Sequence, residues 1–216
     1  MIDLHTHSLL SDGQLLPSEL VQRARRRGYQ ALAITDHVDD SNLEWVVPAV
    51  VRVCSVLSRE MAVIPGVELT HVPPELISRL AQSARSLGAL IVAVHGETIV
   101  EPVPPGTNAA ALKSAADILA HPGLITPELA AEARERGILL EITSRSGHSL
   151  TNGHVVRVAR QAGAQLILNT DSHGPDDLID DATAIKVLRG AGVLEDELAS
   201  VLNNSRTLVG RLGVGR

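Results

Sequence analysis

Residues 90–95 read LIVAVH, five apolar residues followed at once by a histidine. The same arrangement, a short apolar run that ends in or leads to an imidazole or a carboxylate, occurs seven times along the chain. The runs lie near residues 2–6, 30–35, 62–68, 89–95, 117–121, 138–142 and 165–170. Apolar runs of this length are typical of parallel strands that are buried on both faces. They predict seven parallel strands that each bring a polar side chain to the same end.

Helical segments separate these runs. Pro17, Pro74 and Pro127 each open a segment with an acidic residue in its first turn, and a fourth segment covers 154–161; each is followed by a glycine. The alternation predicts βα units. An open doubly wound sheet usually has its site at one crevice, whereas here every strand offers a ligand, which favours a closed α/β barrel with the site at its C-terminal mouth. No linker is visible, so we expect one domain over residues 1–216.

Composition narrows the functional class. The chain has no Phe, one Trp and one Tyr, so its core is aliphatic and base stacking on aromatic side chains is nearly excluded. The net charge of -6 argues against nucleic-acid binding through a basic face. The single Cys54 suits a reducing compartment. The N-terminus does not resemble a signal peptide, and no apolar run approaches the roughly 18 residues of a membrane span. We therefore expect a cytoplasmic protein without membrane association.

The polar residues at the strand ends predict a metal site. Buried imidazoles and carboxylates are unfavourable unless something pairs with them. In an extended strand, residues two apart point the same way, so His5 and His7 can reach one ion. The predicted ligands are His5, His7, Asp12, His37, Glu68, His95, His121, Asp171 and His173. The alternative is that these nine polar residues are each hydrogen-bonded independently of the others. Each residue would then need its own structural reason for its position.

Nine ligands are too many for one ion, so we expect two or three divalent transition ions with open coordination positions. Mixed histidine and carboxylate ligands suit zinc, manganese or iron better than calcium. Clustered ions with open positions indicate catalysis, and phosphate ester hydrolysis is the reaction that uses them most directly.

The ordered motifs resemble those of the PHP (polymerase and histidinol phosphatase) family. They are His5-Thr6-His7 with Asp12, Thr35-Asp36-His37, Gly66-Val67-Glu68, His95, Ala120-His121-Pro122-Gly123 and Asp171-Ser172-His173. The resemblance spans nearly the whole chain and implies a distorted (β/α)7 TIM-like barrel with a trinuclear metal centre. The implied ligand sets are His5, His7, Glu68 and Asp171 for one ion, Glu68, His95 and His121 for a second, and Asp12, His37 and His173 for a third. The implied mechanism is in-line attack by a metal-bound hydroxide, with Asp171 or His173 assisting proton transfer.

Four further residues are candidates for contact with a substrate. Arg145 is a candidate for bidentate phosphate binding and for catalysis, the alternative being an exposed loop charge. His148 and His154 are candidate substrate contacts or acids, or else incidental loop histidines. Glu97 is expected either to bind a substrate cation or to cap its loop.

Other polar residues have supporting roles in this interpretation. Asp36 and Glu141 are expected to orient metal-bound imidazoles. His71 either begins a helix, the interpretation we favour, or adds a contact to the site. The irregular stretch 96–108 is either a loop over the site or a plain surface loop.

The sequence therefore predicts a metal-dependent phosphoesterase that hydrolyses a small phosphorylated metabolite, such as histidinol phosphate or a nucleotide. One alternative is a hydrolase of the same architecture that cleaves a C–N or C–O bond, because fold alone does not determine the reaction. Another is a standalone phosphodiesterase or nuclease, because the family also occurs attached to DNA polymerases; nucleic acid is the less favoured partner. The oligomeric state stays open: residues 188–202 either pack against a partner or, the simpler interpretation, form a barrel helix.

Overall fold

Parallel strands alternate with helices throughout the computed structural model, which describes residues 1–58 and 61–213. The strands are β1 (Ile2–Asp3), β2 (Ala31–Ile34), β3 (His37–Val38), β4 (Ala62–Leu69), β5 (Ile91–His95), β6 (Ile118–Ala120), β7 (Leu139–Thr143) and β8 (Leu166–Asn169). The helices are α1 (Pro17–Arg26), α2 (Leu43–Leu57), α3 (Pro74–Ser86), α4 (Thr107–Leu112), α5 (Pro127–Arg136), α6 (Asn152–Ala162), α7 (Asp181–Gly190) and α8 (Glu195–Arg211). A 3₁₀ turn, His148–Thr151, precedes α6. All seven predicted strands are present, and β3 is an addition.

The strands form one parallel sheet in the order β1-β2-β4-β5-β6-β7-β8, and β3 pairs with β4 beyond the end of β2. The first and last segments of the sheet meet through a parallel bridge between Thr6 and Ser172. The amide of Asp171 donates to the carbonyl of His5 at 3.0 Å, and the amide of His7 donates to the carbonyl of Ser172 at 2.8 Å. The sheet is therefore a nearly closed seven-stranded barrel, and the predicted fold class is confirmed.

Strand β1 is short because side chains replace part of its backbone ladder. The amide of Leu4 donates to Asn169 Oδ1 at 2.9 Å, and the amide of Thr6 donates to Thr35 Oγ1 at 3.0 Å. These bonds satisfy buried backbone donors that a regular strand pairing would otherwise use. The segment after β1 can therefore leave the strict strand geometry and still remain at the barrel wall.

Side chains that alternate along each strand divide the core into two layers. One layer, here called the lower core, lies inside the barrel and consists of Leu4, Ala31, Ala33, Ile64, Ile91, Ala93, Ile118, Leu139, Ile167 and Leu208. The intervening residues, such as Leu32 and Val92, pack outward in the larger core that includes helix residues. Because residues two apart share a face, the inward row of each strand continues from apolar residues to polar ones. In β4 it runs from Ile64 to Glu68, and in β5 from Ile91 to His95.

The helices begin and end largely where the sequence predicts. Proline occupies the first helical position of α1, α3 and α5, where its missing N–H leaves no hydrogen bond unmade. The exception is the C-terminal region, where 188–202 was expected to be one barrel helix. The chain instead breaks between α7 and α8, and Gly192 there has a φ of 87°, a left-handed conformation that interrupts a helix.

None of the helices in the described part of the chain has the length and apolar character that crossing a membrane requires.

Candidate metal centre

The nine predicted ligands converge at the carboxyl ends of the strands. Their donor atoms fall into overlapping groups, each within 4.8 Å: His7 with Asp12, His37 and His173; His5 with His7 and Glu68; His5 with His121 and Asp171; and His95 with His121 and His148. The ring of His7 stacks against two others, with centroids 4.1 Å from that of His37 and 4.2 Å from that of His173. Residues far apart in the chain thus share one polar cluster at the mouth of the barrel, and these groups could hold metal ions.

The groups agree only in part with the ligand sets that the family resemblance implies. Asp12, His37 and His173 come together as implied, with His7 added. The second implied set differs, because His95 groups with His121 and His148 rather than with Glu68. Glu68 still lies near this set, since its Oε1 is 3.5 Å from His121 Nε2.

Six buried side-chain atoms in the described residues have no hydrogen-bond partner, and all six belong to predicted ligands. They are His5 Nε2, His7 Nδ1, His7 Nε2, Glu68 Oε1, His121 Nδ1 and Asp171 Oδ1. Buried polar atoms are nearly always hydrogen-bonded, so each exception needs an explanation. Imidazole nitrogens and carboxylate oxygens that face one another are suitable metal donors. The residues at the mouth therefore fit bound metal.

The close contacts inside the cluster also have the spacing of ligands around an ion. His7 Nε2 lies 3.1 Å from Asp171 Oδ1, and His5 Nε2 lies 3.3 Å from Glu68 Oε1, yet none of these four atoms has a hydrogen-bond partner. Two ligands about 2.0–2.1 Å from one ion, at angles of roughly 90–110°, are about 2.9–3.4 Å apart. The observed separations fall in this range.

Electrostatics at the mouth favour cations. Burial alone would raise the pKa of the Glu68 carboxyl, but surrounding imidazoles, His5 foremost, hold that pKa well below its usual value. Burial opposes protonation of His5, yet nearby carboxylates, Glu141 foremost, raise the pKa of its ring well above the usual value. Burial, with a smaller effect of His37, lowers the pKa of His7 to about 3. The carboxylates are thus anionic and His7 is neutral, as metal binding needs, whereas His5 and His37, whose pKa values are raised, would have to release a proton to an ion.

Glu141 supports two predicted ligands, as the sequence suggests. His5 Nδ1 donates to Glu141 Oε1 at 2.8 Å, which leaves His5 Nε2 free to face the cluster. Glu141 Oε2 accepts from the amide of His121 at 3.1 Å. Such outer carboxylates fix the tautomer and orientation of a ligating imidazole.

Asp36 was predicted to orient a metal-bound imidazole, but its hydrogen bonds go to two serines instead. Its Oδ1 accepts from the amide of Ser8 and the hydroxyl of Ser11, each at 2.7 Å, and its Oδ2 accepts from the hydroxyl of Ser8 at 2.7 Å. No imidazole is hydrogen-bonded to it among the residues that the structure covers. Asp36 therefore fixes the turn that presents Asp12 to the cluster.

Backbone conformation also concentrates strain at the mouth. The non-glycine residues with positive φ in the described ranges are His71 at 53°, His121 at 26° and Asp171 at 53°. Such conformations cost of order 1–3 kcal/mol each and persist where surrounding structure enforces them, often at functional sites. His121 and Asp171 are predicted ligands, and His71 lies beside them.

An open cavity of about 430 Å³ adjoins the cluster. Arg145, His148 and Glu101 line it together with predicted ligands such as Asp12 and His173. Arg145 Nη1 donates to Asp177 Oδ2 at 3.1 Å, which ties the guanidinium to the segment after β8.

His148 has the environment of a neutral imidazole. Its Nδ1 is 2.8 Å from Thr98 Oγ1, and its ring stacks on His121 with centroids 4.2 Å apart. Burial, helped by His121, lowers the pKa of His148 to about 4. At neutral pH it is an acceptor or a metal donor rather than a charged acid.

Two predicted substrate contacts are not among the residues that line this cavity. Glu97 Oε1 accepts from the amides of Gly106 at 3.0 Å and Asn108 at 2.9 Å, which is the loop-capping alternative. His154 Nε2 lies 2.7 Å from the carbonyl oxygen of Ile125, near the start of α6. For both residues the structure shows a structural contact in place of the expected cavity position.

Sequence reasoning missed Glu101, Thr70 and Asp177. Glu101 lies in the irregular stretch after β5 and reaches His95. Thr70 Oγ1 is 2.6 Å from His37 Nδ1. Asp177 Oδ2 accepts from the amide of His173 at 2.9 Å as well as from Arg145. These residues do not end an apolar run, so the pattern that marks the predicted ligands does not mark them.

A nearly closed parallel barrel with clustered imidazoles and carboxylates at its mouth defines the class: a β/α barrel that could hold several metal ions. Within that class the chain belongs to the PHP domain family, whose model matches residues 3–180.

Several proteins resemble the chain in sequence. It is 49% identical over 204 residues to the uncharacterized protein MJ1295 of Methanocaldococcus jannaschii, a match that covers 93% of this chain and 94% of that protein. The probable phosphatase YcdX of Escherichia fergusonii is 25% identical, covering 93% of this chain and 89% of that protein. The DNA polymerase/3'-5' exonuclease PolX of Bacillus subtilis is 24% identical, but the match covers 87% of this chain and only 36% of PolX.

A similar solved structure is histidinol phosphate phosphatase from Lactococcus lactis subsp. lactis, in complex with zinc, L-histidinol and phosphate. Its TM-score is 0.61 at 16% identity, and the alignment covers 99% of this chain and 94% of that chain. At this identity the likeness supports the fold.

Proposed function

We propose that the protein is a metal-dependent phosphoesterase that hydrolyses a small-molecule phosphate monoester. The observation that carries this proposal is the set of six buried, unpartnered donor atoms at the barrel mouth, which belong to five predicted ligands. Their chemistry fits two or three zinc, manganese or iron ions. When bound, such ions lower the pKa of a coordinated water and neutralise the charge of a phosphate.

The chain's own residues have distinct roles in this proposal. His5, His7, Glu68, His121 and Asp171 would hold metal with buried donors, and Asp12, His37 and His173 would hold metal with partly exposed ones. Both Asp171 and His173 line the cavity, and the side chain of His173 is the more exposed of the two, at 11% against 3%. Asp171 and His173 are both kept as candidates for assisting proton transfer to a leaving group. His173 Nδ1 is 2.9 Å from the carbonyl oxygen of Asp171 and its Nε2 is 3.2 Å from Asp12 Oδ1, so Nε2 is the nitrogen that would bind an ion.

Arg145 is proposed to bind the phosphate, because it lines the same cavity as several predicted ligands. Asp177 holds Nη1, and the other guanidinium nitrogens remain to donate to a phosphate oxygen. His148, neutral and buried beside Thr98 and His121, would accept a hydrogen bond from the substrate or bind an ion.

A small substrate suits the size of the site. A cavity of about 430 Å³ is in the range of small-molecule pockets. The net charge of -6 disfavours a long polyanion, because nucleic-acid binding relies on neutralising many phosphates. The full-length similarity to a probable phosphatase points the same way.

The test is release of phosphate from a generic aryl phosphate by the purified chain with added manganese. We expect His5→Ala and Asp171→Ala to abolish this release, because each removes a donor from the buried cluster. Asp40→Ala is the matched control for the aspartate, since Asp40 is exposed and pairs with Arg79 on the surface. Full activity in both site variants would refute the proposal.

A standalone phosphodiesterase is the second candidate, because the similarity to PolX covers most of this chain. Single-stranded DNA and a bis-aryl phosphate in the same assay separate the two, and preferential cleavage of either would favour the diesterase. A panel of lactones and amides tests the C–N and C–O alternative in the same way.

A further inference from the structure

Three imidazoles converge on one loop carboxylate at the outer rim of the mouth. Glu101 Oε2 lies 3.0 Å from His71 Nε2 and 3.1 Å from His95 Nε2, and Glu101 Oε1 lies 3.4 Å from His148 Nε2. His71, His95 and Glu101 together have donor atoms within 4.8 Å of one another. Neither the predicted ligand set nor the ligand sets implied by the family resemblance includes His71 or Glu101.

These separations are those of ligands around a single ion. Donors about 2.0–2.1 Å from one ion are roughly 2.9–3.4 Å apart when their angles are about 90–110°. The distances from Glu101 Oε2 to His71 and to His95 both fall in that range, and an ion there would replace the hydrogen bond between His71 and Glu101. Two imidazoles and a carboxylate are also a donor set that zinc and similar ions use in open sites.

The contacts of the two ring nitrogens of His95 limit where an ion bound to this residue would lie. Its Nδ1 is 3.2 Å from the carbonyl oxygen of Gly96, so Nε2 is the nitrogen left for metal binding. That same Nε2 faces Glu101. An ion on His95 therefore has Glu101 beside it, while His121 retains its own group with His5 and Asp171.

His71 shares an unusual backbone feature with two predicted ligands. Its φ of 53° is positive, as are those of His121 and Asp171. Its side chain nevertheless turns back toward His95, with ring centroids 5.0 Å apart.

We propose that His71, His95 and Glu101 form a distinct metal position at the rim of the mouth, so that the ion on His95 is held from outside the barrel by a loop carboxylate. This inference rests on the proposed metal centre. The base of the loop is fixed by Glu97, whose carboxylate holds the amides of Gly106 and Asn108. Glu101 follows on this anchored loop, so binding at the rim position ties the loop to the mouth.

The experiment is a cobalt titration of the full chain after removal of metals with a chelator. Bound equivalents are counted by elemental analysis, and the visible absorption of Co²⁺ reports the geometry of each site. We expect Glu101→Gln to lose one equivalent or to weaken one by more than about tenfold, at least the loss typical of disturbing a metal's surroundings. His71→Ala is expected to weaken the same equivalent, and Glu75→Gln, an exposed acid on α3, is the matched control that leaves the titration unchanged.

The outcomes separate this inference from the proposed function. If the unaltered chain takes up no cobalt, the proposed metal centre fails, and the rim position with it. If the unaltered chain binds cobalt and Glu101→Gln binds as many equivalents with the same affinity, only the rim position is refuted. Tighter binding by Glu101→Gln also refutes it, because the carboxylate would then be competing with the ion.

Discussion

The two ends of the barrel interior are built from the same strands but follow opposite rules. In the lower core, inward residues such as Ile64 and Ile91 are fully buried and apolar, so burial itself stabilises them by about 25 cal/mol per Å². Four residues further along the same strands, Glu68 and His95 are equally enclosed but polar. There, burial is unfavourable unless the groups are paired. The residues that stabilise the fold and the residues that could bind metal are therefore separated along the strand axis rather than between domains.

A cavity in the lower core tests whether this end of the barrel determines stability alone. Ile64→Ala removes a fully buried side chain and leaves a cavity, so we expect the free energy of unfolding to fall by about 2–5 kcal/mol. Urea denaturation measures the loss. Val56→Ala, at a side chain 59% exposed, should change stability by no more than about 0.5 kcal/mol. Metal stoichiometry of the folded Ile64→Ala protein should equal that of the unaltered chain, and a lost equivalent would mean that the two ends are not separable.

Removing metal tests the other end. If ions bind only the folded chain, an ion present at 100 times its dissociation constant stabilises it by about 2.7 kcal/mol, so chelation should lower Tm by about 5–11 °C. Thermal unfolding with and without a chelator measures the shift. The Ile64→Ala protein is expected to show a shift of similar size, because distant sites are additive. A Tm that is unchanged by the chelator would contradict metal binding at the mouth of the barrel.

A finer test concerns the residue between the two ends. Glu141 follows Leu139 of the lower core on the same inward row and holds His5 and the amide of His121. We expect Glu141→Gln to weaken metal binding by about 10–100-fold, because the His5 ring loses its charged acceptor. Competition with a colorimetric chelator measures the affinity, and Glu44→Gln, an exposed acid on α2, is the control. Unchanged affinity would show that Glu141 serves packing alone.

The barrel could be predicted from the sequence because each buried strand is a continuous apolar run, as in residues 90–95. The convergence of the candidate ligands could be predicted because most of them end those runs, and closure of the sheet brings the strand ends together. The break between α7 and α8 was missed because helical periodicity continues on both sides of Gly192. Strand β3 was missed because two residues, His37 and Val38, carry no periodicity.

Loop residues were the least predictable. Glu97 and Glu101 lie in the same irregular stretch and have the same charge, yet one binds backbone amides and the other faces imidazoles. Their directions depend on how the loop returns to α4, which local sequence does not encode. The same holds for His148 and His154, which flank the start of α6 but point to different surroundings.

Leu208 of α8 completes the lower core from the far end of the chain, and Val209 and Leu212 pack beside it. The family match ends at residue 180, before α7 begins. A fragment trimmed to the matched residues would thus lack the plug that seals the barrel floor and would open Ile2 and its neighbours to water. Expression designs for this protein should keep the C-terminal helix even though it contributes nothing to the predicted chemistry.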